Sequence, residues 1–441
     1  MYDRLRSMFT SSHERLHPDQ HGPEYDAYRE ADTTKEEDHY QKDHLEEGKK
    51  QILWAIIKQI SIGSEIKHIQ LPTFVIQPRS LLEKLSDSFV HPELLYRITQ
   101  LNTPEERFIQ ALQFFMSGWH LRHKGVKNPL NPAIGEIFKC GMQLDSNSFD
   151  LSTGDVDTDA TITPPKIPNI SHDDSNYYYV AEQVSHHPPR SAFCFYNASK
   201  GIIYNGDVSP GYVKFRGSSA DTQLQAHMSL RVFSDSFGEE EYEFTLPGVL
   251  IRGILYGTLT LEMVGKSMIY CKKTGFRAII DFQAKGVFTG SYNHVCGSVW
   301  NENYHHEEPS HMIEGHWDTT TFITDKRSGN RSVLFDVQQH PTTRITTEGI
   351  DKQMPHESKR YWERVIEGIE ERSDEKALGE KRRLEETQRR LEAERKKNRE
   401  PFRSALFDYN RKEDKWMYKM EEKIVEAIQT REAVDGPPRS Q

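Results

Sequence analysis

The sequence predicts a mainly antiparallel β protein with helices on either side of its sheet. Three observations predict it. Residues 136–337 divide into short runs separated by turn chemistry, apolar residues at 52–60 and 105–119 recur with a helical period, and that period returns beyond 356. In the middle stretch Leu259, Leu261 and Met263 alternate with Thr260 and Glu262, and Gly265-Lys266 reads as a turn. A second run reaches Tyr270, Lys273-Thr274-Gly275 turns again, and Phe276, Ala278, Ile280 and Phe282 alternate once more. A period of two turns one face of each run to a core, so this is a meander; enough such strands favour a curled or closed sheet.

Residues 1–46 are polar and show no sustained apolar period, so they read as a disordered tail. His13 and His17 stand four apart, but Pro18 breaks a helix that would pair them. Residues 47–135 read as an N-terminal helical region. Ile52, Leu53, Ile56, Ile57 and Ile60 share one helical face that stops at Ser61-Ile62-Gly63, a pattern that covers a core or touches a bilayer. Phe108, Leu112, Phe115, Met116 and Trp119 follow Glu105 and Glu106, whose charges suit a helix start. Residues 136–355 are the β core, and 356–418 form a C-terminal helical region of the same domain. There Tyr361, Trp362, Val365, Ile366 and Ile369 make one stripe. Residues 372–399 are dominated by Glu, Lys and Arg, a helix either solvated or using one polar face. Phe402, Leu406, Phe407, Trp416, Met417 and Tyr418 read as a segment returning to the body, and 419–441 as a tail whose Met420, Ile424, Val425 and Ala427, at near-helical spacing, make either an extra packed helix or a contact surface.

Charge narrows the function. Lys and Arg number 57 against 67 Asp and Glu, a net of −10, which argues against a general nucleic-acid binder and against permanent adsorption to anionic membrane. Cys140, Cys194, Cys271 and Cys296 form no CxxC, so a reducing compartment is the simple reading. No signal core or membrane span is apparent, which suits a cytoplasmic protein.

Several motifs fail on their chemistry. Asp155, Asp157 and Asp159 begin like a calcium loop, but Ala160 replaces the required glycine and Lys166 the closing glutamate. Gly265-Lys266-Ser267 resembles the end of a phosphate loop, yet Thr260 stands where its first glycine belongs, so a hairpin turn is expected. His305, His306, His311 and His316 with Glu307, Glu308 and Glu314 match no zinc spacing, and Pro309 interrupts them; a polar hairpin is expected. No GxSxG or HExxH motif appears. The expectation is no catalytic residue, no metal and no cofactor.

The informative constellation is Glu182-Gln-Val-Ser-His-His-Pro-Pro189. In a regular strand His186 and His187 would face opposite sides, but Pro188-Pro189 denies ladder donors and forces a turn that lets both rings face one ligand. Two imidazoles can donate to a phosphate, and a dianion raises their pKa; taken alone, the pair is better explained structurally. It is accompanied by Leu71-Pro-Thr-Phe74, Arg79-Ser80-Leu81-Leu82, Asn131-Pro132, Gly135-Glu136, Gly253-Ile-Leu-Tyr-Gly257 and Glu385-Glu-Thr-Gln-Arg389. Together these blocks resemble the oxysterol-binding-protein-related family of lipid carriers over about residues 50–418. The wording LPTFVIQPRSLLEKLSD resembles most the members that exchange phosphatidylserine for phosphatidylinositol 4-phosphate.

The resemblance implies an incomplete antiparallel barrel with a hydrophobic tunnel, an N-terminal lid near 50–76 and C-terminal helices. A tunnel answers a physical need: two acyl chains hold roughly 30 methylenes, and at about 0.8 kcal/mol each their exposure costs on the order of 20 kcal/mol or more. By the same resemblance Leu71 and Thr73 would lie near the acyl glycerol and serine head group, Asn131 would reach the serine carboxylate, and His186 and His187 would grip the inositol 4-phosphate. Lys381 and Arg389 would supply cationic donors, with Glu385 accepting from inositol hydroxyls or holding the cations; a spacing of four keeps all three within about 80° of one helical face. The family places a lysine where Asn128 stands here, so either Lys127, one residue earlier, bends back to serve or the phosphoinositide site is weaker. The implied partners are a phospholipid or sterol and, transiently, endoplasmic reticulum and plasma membranes. Sterol transport or sensing, and a phosphoinositide-responsive regulatory scaffold, are the alternatives.

Overall fold

The computed structural model describes residues 43–44, 76–121, 127–143, 176–216, 219–253, 258–286, 290–303 and 308–435. Its first strands are β1 (Asp43–His44), β2 (Ile76–Ser80), β3 (Asn128–Leu130), β4 (Ile137–Gln143), β5 (Asn176–His186), β6 (Pro189–Asn197), β7 (Ile202–Arg216), β8 (Ser219–Ser234), β9 (Gly238–Phe244) and β10 (Gly248–Arg252). They continue as β11 (Thr258–Cys271), β12 (Phe276–Gln283), β13 (His294–Asn301), β14 (His311–His316), β15 (Thr320–Asp325), β16 (Arg331–Asp336), β17 (Ile345–Thr346), β18 (Phe407–Asn410) and β19 (Lys415–Tyr418). The α-helices are α1 (Leu81–Leu85), α2 (Pro92–Ile98), α3 (Pro104–Ser117), α4 (Ser358–Glu370), α5 (Asp374–Asn398) and α6 (Glu421–Asp435).

Fifteen of the described strands join in one antiparallel sheet. Its path runs β16-β15-β14-β13-β12-β11-β10-β8-β7-β6-β5-β4-β17, with β1 on β11 and β9 against β8 and β11. Its two ends, β16 and β17, do not pair with each other, so the barrel is incomplete. The alternation expected from sequence carries the core: Phe276, Ala278, Ile280 and Phe282 of β12 and Val295 and Val299 of β13 turn inward to one cluster.

Part of that inner face is filled by helices. Phe89, between α1 and α2, lies among Tyr179, Phe193, Phe195 and Tyr204 with ring centroids 4.5 to 5.7 Å apart, and Phe108 of α3 stacks on Phe276. The start of α3 is fixed by a capping box, Glu106 N–H donating to Thr103 Oγ1 and Thr103 N–H to Glu106 Oε2. Arg107 of α3 then forks onto buried Glu240 of β9 at 2.6 and 2.9 Å, and Tyr242 donates to the same carboxylate. Elsewhere the inner face is less covered. Along β8, Leu230 and Val232 are fully buried, whereas Leu224, Ala226 and Met228 on the same face are half-buried, as is Val249 of β10.

Strands β5–β7 are covered on both sides, which explains why Tyr177–Ala181 reads as an unbroken apolar run. Tyr177, Tyr179 and Ala181 face the inner cluster, and Tyr178, Val180 and Val184 face a second cluster with Phe407, Tyr418, Ile424 and Ile428.

Three sequence expectations change. Within the stretch read as a disordered tail, Asp43 and His44 pair with Leu259 and Thr258, a contact made by backbone groups that composition does not encode. The end of the C-terminal helical region is a hairpin, β18–β19, in which Phe407 pairs with Tyr418 and Tyr409 with Trp416. Of the two readings of the tail the packed helix holds: residues 421–435 form α6, and Ile424 and Ile428 bury against the sheet. Gly265 is no turn: β11 runs straight through it, with a φ of +89° that glycine accepts without strain, as pairing passes from β10 at Val264 to β12 at Gly265. The aspartates at 155–159, the helix predicted at 52–60, and His305, His306 and Glu307 lie outside the described residues.

Burial separates the thiols. Cys140, Cys194 and Cys271 are buried and desolvation pushes each thiol up, whereas Cys296 is half-buried. Alkylation of the native chain at neutral pH should label Cys296 alone within minutes, and all four only in denaturant, as counted by mass spectrometry. Rapid native labelling of a second cysteine would contradict this packing.

Candidate functional site

The two histidines sit at the tip of the β5–β6 hairpin. Pairing reaches His186 opposite Pro189, so His187 and Pro188 alone make the turn. A register shift between Gln183 and Ser185 precedes it, and Gln183 supports that irregularity: Oε1 accepts from Ser191 Oγ at 2.6 Å and Nε2 donates to the Ser185 carbonyl at 2.8 Å. Behind the tip, Ser209 Oγ donates to the Pro189 carbonyl and Arg190 reaches buried Asp207 at 3.4 Å.

Both imidazoles are exposed, with His186 Nδ1 and His187 Nε2 3.3 Å apart and the rings 4.6 Å apart at 71°. At that separation one nitrogen donates and the other accepts; both become donors when the rings are charged. The tight turn therefore brings together the rings that a regular strand would have parted.

Helix α5 supplies the opposing charges. Lys381 Nζ lies 3.9 Å from Glu385 Oε1, and Arg389 Nη2 lies 3.6 Å from Glu385 Oε2, so Glu385 spans both cations on one face. The same face continues to Glu392 and Lys396, paired at 2.7 Å. Lys396 first, and then the charge of His187 and His186, hold the Glu392 carboxyl below its ordinary range. The distal half of α5 thus lies within electrostatic reach of the hairpin tip. Sequence reasoning missed Glu392 and Lys396, although they extend the spacing that marked 381, 385 and 389.

Helix α5 is positioned through α4. Gly368 of α4 approaches the Ala377 backbone so closely that a Cβ there would lie 2.6 Å from its nitrogen. Trp362 and Val365 of α4 pack with Ile76 of β2 and Leu130 of β3, and Leu384 of α5 packs against this cluster. The segment 127–131 is therefore fixed to the same cluster as the charged helix. Buried Gln77 donates to the Lys127 carbonyl at 3.0 Å, while Lys127, Asn128 and Asn131 are themselves exposed. Leu71 and Thr73 lie outside the described residues.

Two glutamates in the quoted blocks hold the scaffold. Glu182 is fully buried and accepts from Ser404 Oγ at 2.7 Å, Ala405 N–H at 2.9 Å and Leu406 N–H at 2.7 Å. Glu136 accepts from Ser80, Ala133, Ser358 and Trp362, tying β2 and α4 to the start of β4. Burial pushes the Glu136 carboxyl up against the opposing effect of these donors.

Both the sequence and the fold have counterparts among known proteins. The family profile described as "Oxysterol-binding protein" matches residues 52–367. "Oxysterol-binding protein 4" of Dictyostelium discoideum is 32% identical over 384 residues, 85% of this chain and 75% of that protein. Human "Oxysterol-binding protein-related protein 8" is 33% identical over 386 residues, 86% of this chain but only 39% of that protein's length. Among solved structures, the Osh1 ORD domain in complex with ergosterol superposes with a TM-score of 0.65 at 21% identity, covering 85% of this chain and 88% of that one. The Osh3 ORD in complex with PI(4)P from Saccharomyces cerevisiae superposes with a TM-score of 0.60 at 20% identity, covering 87% and 94%.

Proposed function

The chain belongs to the oxysterol-binding protein family, and on that premise we propose that it carries one lipid at a time between membranes, exchanging phosphatidylserine for phosphatidylinositol 4-phosphate. The observation that carries this reading is the imidazole pair, 3.3 Å apart at a hairpin tip, within reach of the charged face of α5. A phosphate dianion there takes donors from His186 and His187 and stabilises their protonated forms. Lys381 and Arg389 add charge, and Glu385 holds them or accepts from inositol hydroxyls. Asn131, with Lys127 beside it, Leu71 and Thr73 complete the set for glycerol and serine. The half-buried row Leu224, Ala226, Met228 and Val249 gives acyl chains an apolar wall.

Exchange follows from mutual exclusion: two lipids that share one receptacle displace one another, so a phosphoinositide gradient drives phosphatidylserine the other way. This work takes place in the cytoplasm, in passing contact with endoplasmic reticulum and plasma membranes, and makes no covalent bond. The test is transfer of labelled phosphatidylserine between liposomes with and without phosphatidylinositol 4-phosphate in the acceptor. Faster transfer with it is expected; equal rates would remove the exchange mechanism.

A sterol cargo is the second reading, favoured by the same apolar row, which asks nothing of a head group. Mass spectrometry of copurifying lipids separates the two, and a sterol as the sole cargo would replace phosphatidylserine.

A further inference from the structure

Three imidazoles gather where the helices that fill the inner face meet a free margin of the sheet. His91 precedes α2, His120 follows α3, and His340 follows β16, the strand at one unjoined end of the ladder. All three have a common neighbour in Phe335 of β16. Its buried ring lies 5.3 Å from His91, 5.9 Å from His120 and 4.8 Å from His340 between centroids. His91 in turn lies 5.1 Å from His120 and 6.2 Å from His340. One backbone bond ties the same segments, Thr343 N–H donating to the Val90 carbonyl at 2.8 Å.

The cluster suits neutral rings. His91 is fully buried, and among the described residues neither of its ring nitrogens has a hydrogen-bond partner. His120 Nδ1 lies 2.8 Å from the Ser117 carbonyl and His340 Nδ1 2.9 Å from the Asp336 carbonyl, so each neutral ring carries its proton on Nδ1 and a lone pair on Nε2. Burial pushes the His120 ring below its ordinary value, and the His91 ring beside it acts in the same direction, against the Ser117 carbonyl and Asp87. Among the described residues little negative charge is left to balance more than one proton. Glu93 Oε1 of α2 stands 3.5 Å from His91 Nδ1, longer than an ordinary hydrogen bond but close enough to balance one positive ring. Asp87 is already held by Arg79 at 2.9 Å and Lys84 at 2.6 Å, and the Asp336 carboxylate accepts from Gln338 N–H at 2.8 Å. Tyr177 of β5 also feels Glu93, and burial keeps its hydroxyl protonated.

We infer that His91, His120 and His340 form an acid-opened clasp, which holds α2 and α3 to the edge strand β16 at neutral pH and releases that edge as the rings take up protons. Histidines charge as pH falls through about 6.5. The first proton is matched by Glu93. A second and a third set like charges against His91 at ring separations of 5.1 and 6.2 Å, beside the buried Phe335 ring, where water screens little. Withdrawal of a ring relieves this, and the strand with least to hold it is β16, paired on one side only. The released form takes up protons that the closed form refuses, so the clasp is firm above about pH 6.5 and weakens below it. It acts on the margin of the sheet and does not depend on which lipid is carried.

The test is hydrogen–deuterium exchange of the full chain at about pH 7.5 and about pH 5.5, corrected for the intrinsic pH dependence of exchange. The hydrogen-bonded amides of β16 and the Thr343 amide should lose protection by roughly tenfold or more at the lower pH, while those of β5–β7 keep theirs. His120→Asn with His340→Asn, whose amides can replace the two Nδ1–H donors, should abolish that local loss. Glu93→Gln removes the counter-charge and should bring the loss on at a higher pH. Thermal melting at neutral pH checks each fold, and the half-buried Glu93 keeps the test open should the double variant fail to fold. The clasp would be overturned by β16 protection that is equal at both pH values, falls equally across the whole sheet, or falls as far in the double asparagine variant. An onset in Glu93→Gln at unchanged or lower pH would overturn it too.

Discussion

Replacing His186 and His187 together by alanine is expected to weaken binding of phosphatidylinositol 4-phosphate by about 10²-fold to 10⁴-fold. Each hydrogen bond to a charged group contributes about 1.5–3 kcal/mol, and two are removed. Both rings are exposed, so stability should hardly change. Vesicle flotation against phosphatidylinositol 4-phosphate measures the first quantity and thermal melting the second. A variant that keeps its phosphoinositide affinity would show that the hairpin tip is not the phosphate site. One that loses affinity and melts early would point to a scaffold role instead.

The second large effect concerns stability. Glu182→Ala should cost on the order of 3–5 kcal/mol and lower the melting temperature by roughly 5–10 °C, because it strands the Ser404 hydroxyl and the Ala405 and Leu406 amides. An unmade bond to a buried donor costs its full desolvation, about 1–3 kcal/mol, and water recovers only part of it. Glu182→Gln keeps the shape but turns an –NH2 group toward a donor, so an intermediate loss is expected. A melting point within a degree of the parent in Glu182→Ala would show that the 404–406 segment needs no carboxylate.

These two residues also show how far the sequence could be read. Glu182 and His186 stand four apart in one block, yet one is a buried tie and the other an exposed ligand candidate. Side-chain type did not separate them; their place on the strand did, because pairing buries position 182 and ends at 186. The sheet was legible where one face is buried, as in Phe276–Phe282, since alternation records the core directly. It was less legible where both faces are covered, as in Tyr177–Ala181, and at β1, a two-residue pairing too short to show a period. Gly265 was misread for a related reason: glycine permits a turn, and equally permits a strand to change partners. Of the site, the spacing of Lys381, Glu385 and Arg389 was visible because a helix repeats it.

The unjoined margins of the sheet have a mechanical consequence. A ring of strands closed by hydrogen bonds has a fixed circumference, set by strand number and stagger. Here the described ladder starts at β16 and stops at β17, so its girth can grow at the gap without any rung giving way. A flat four-ring molecule and a forked two-tailed one differ greatly in cross-section, and a receptacle for both would require such an open girth.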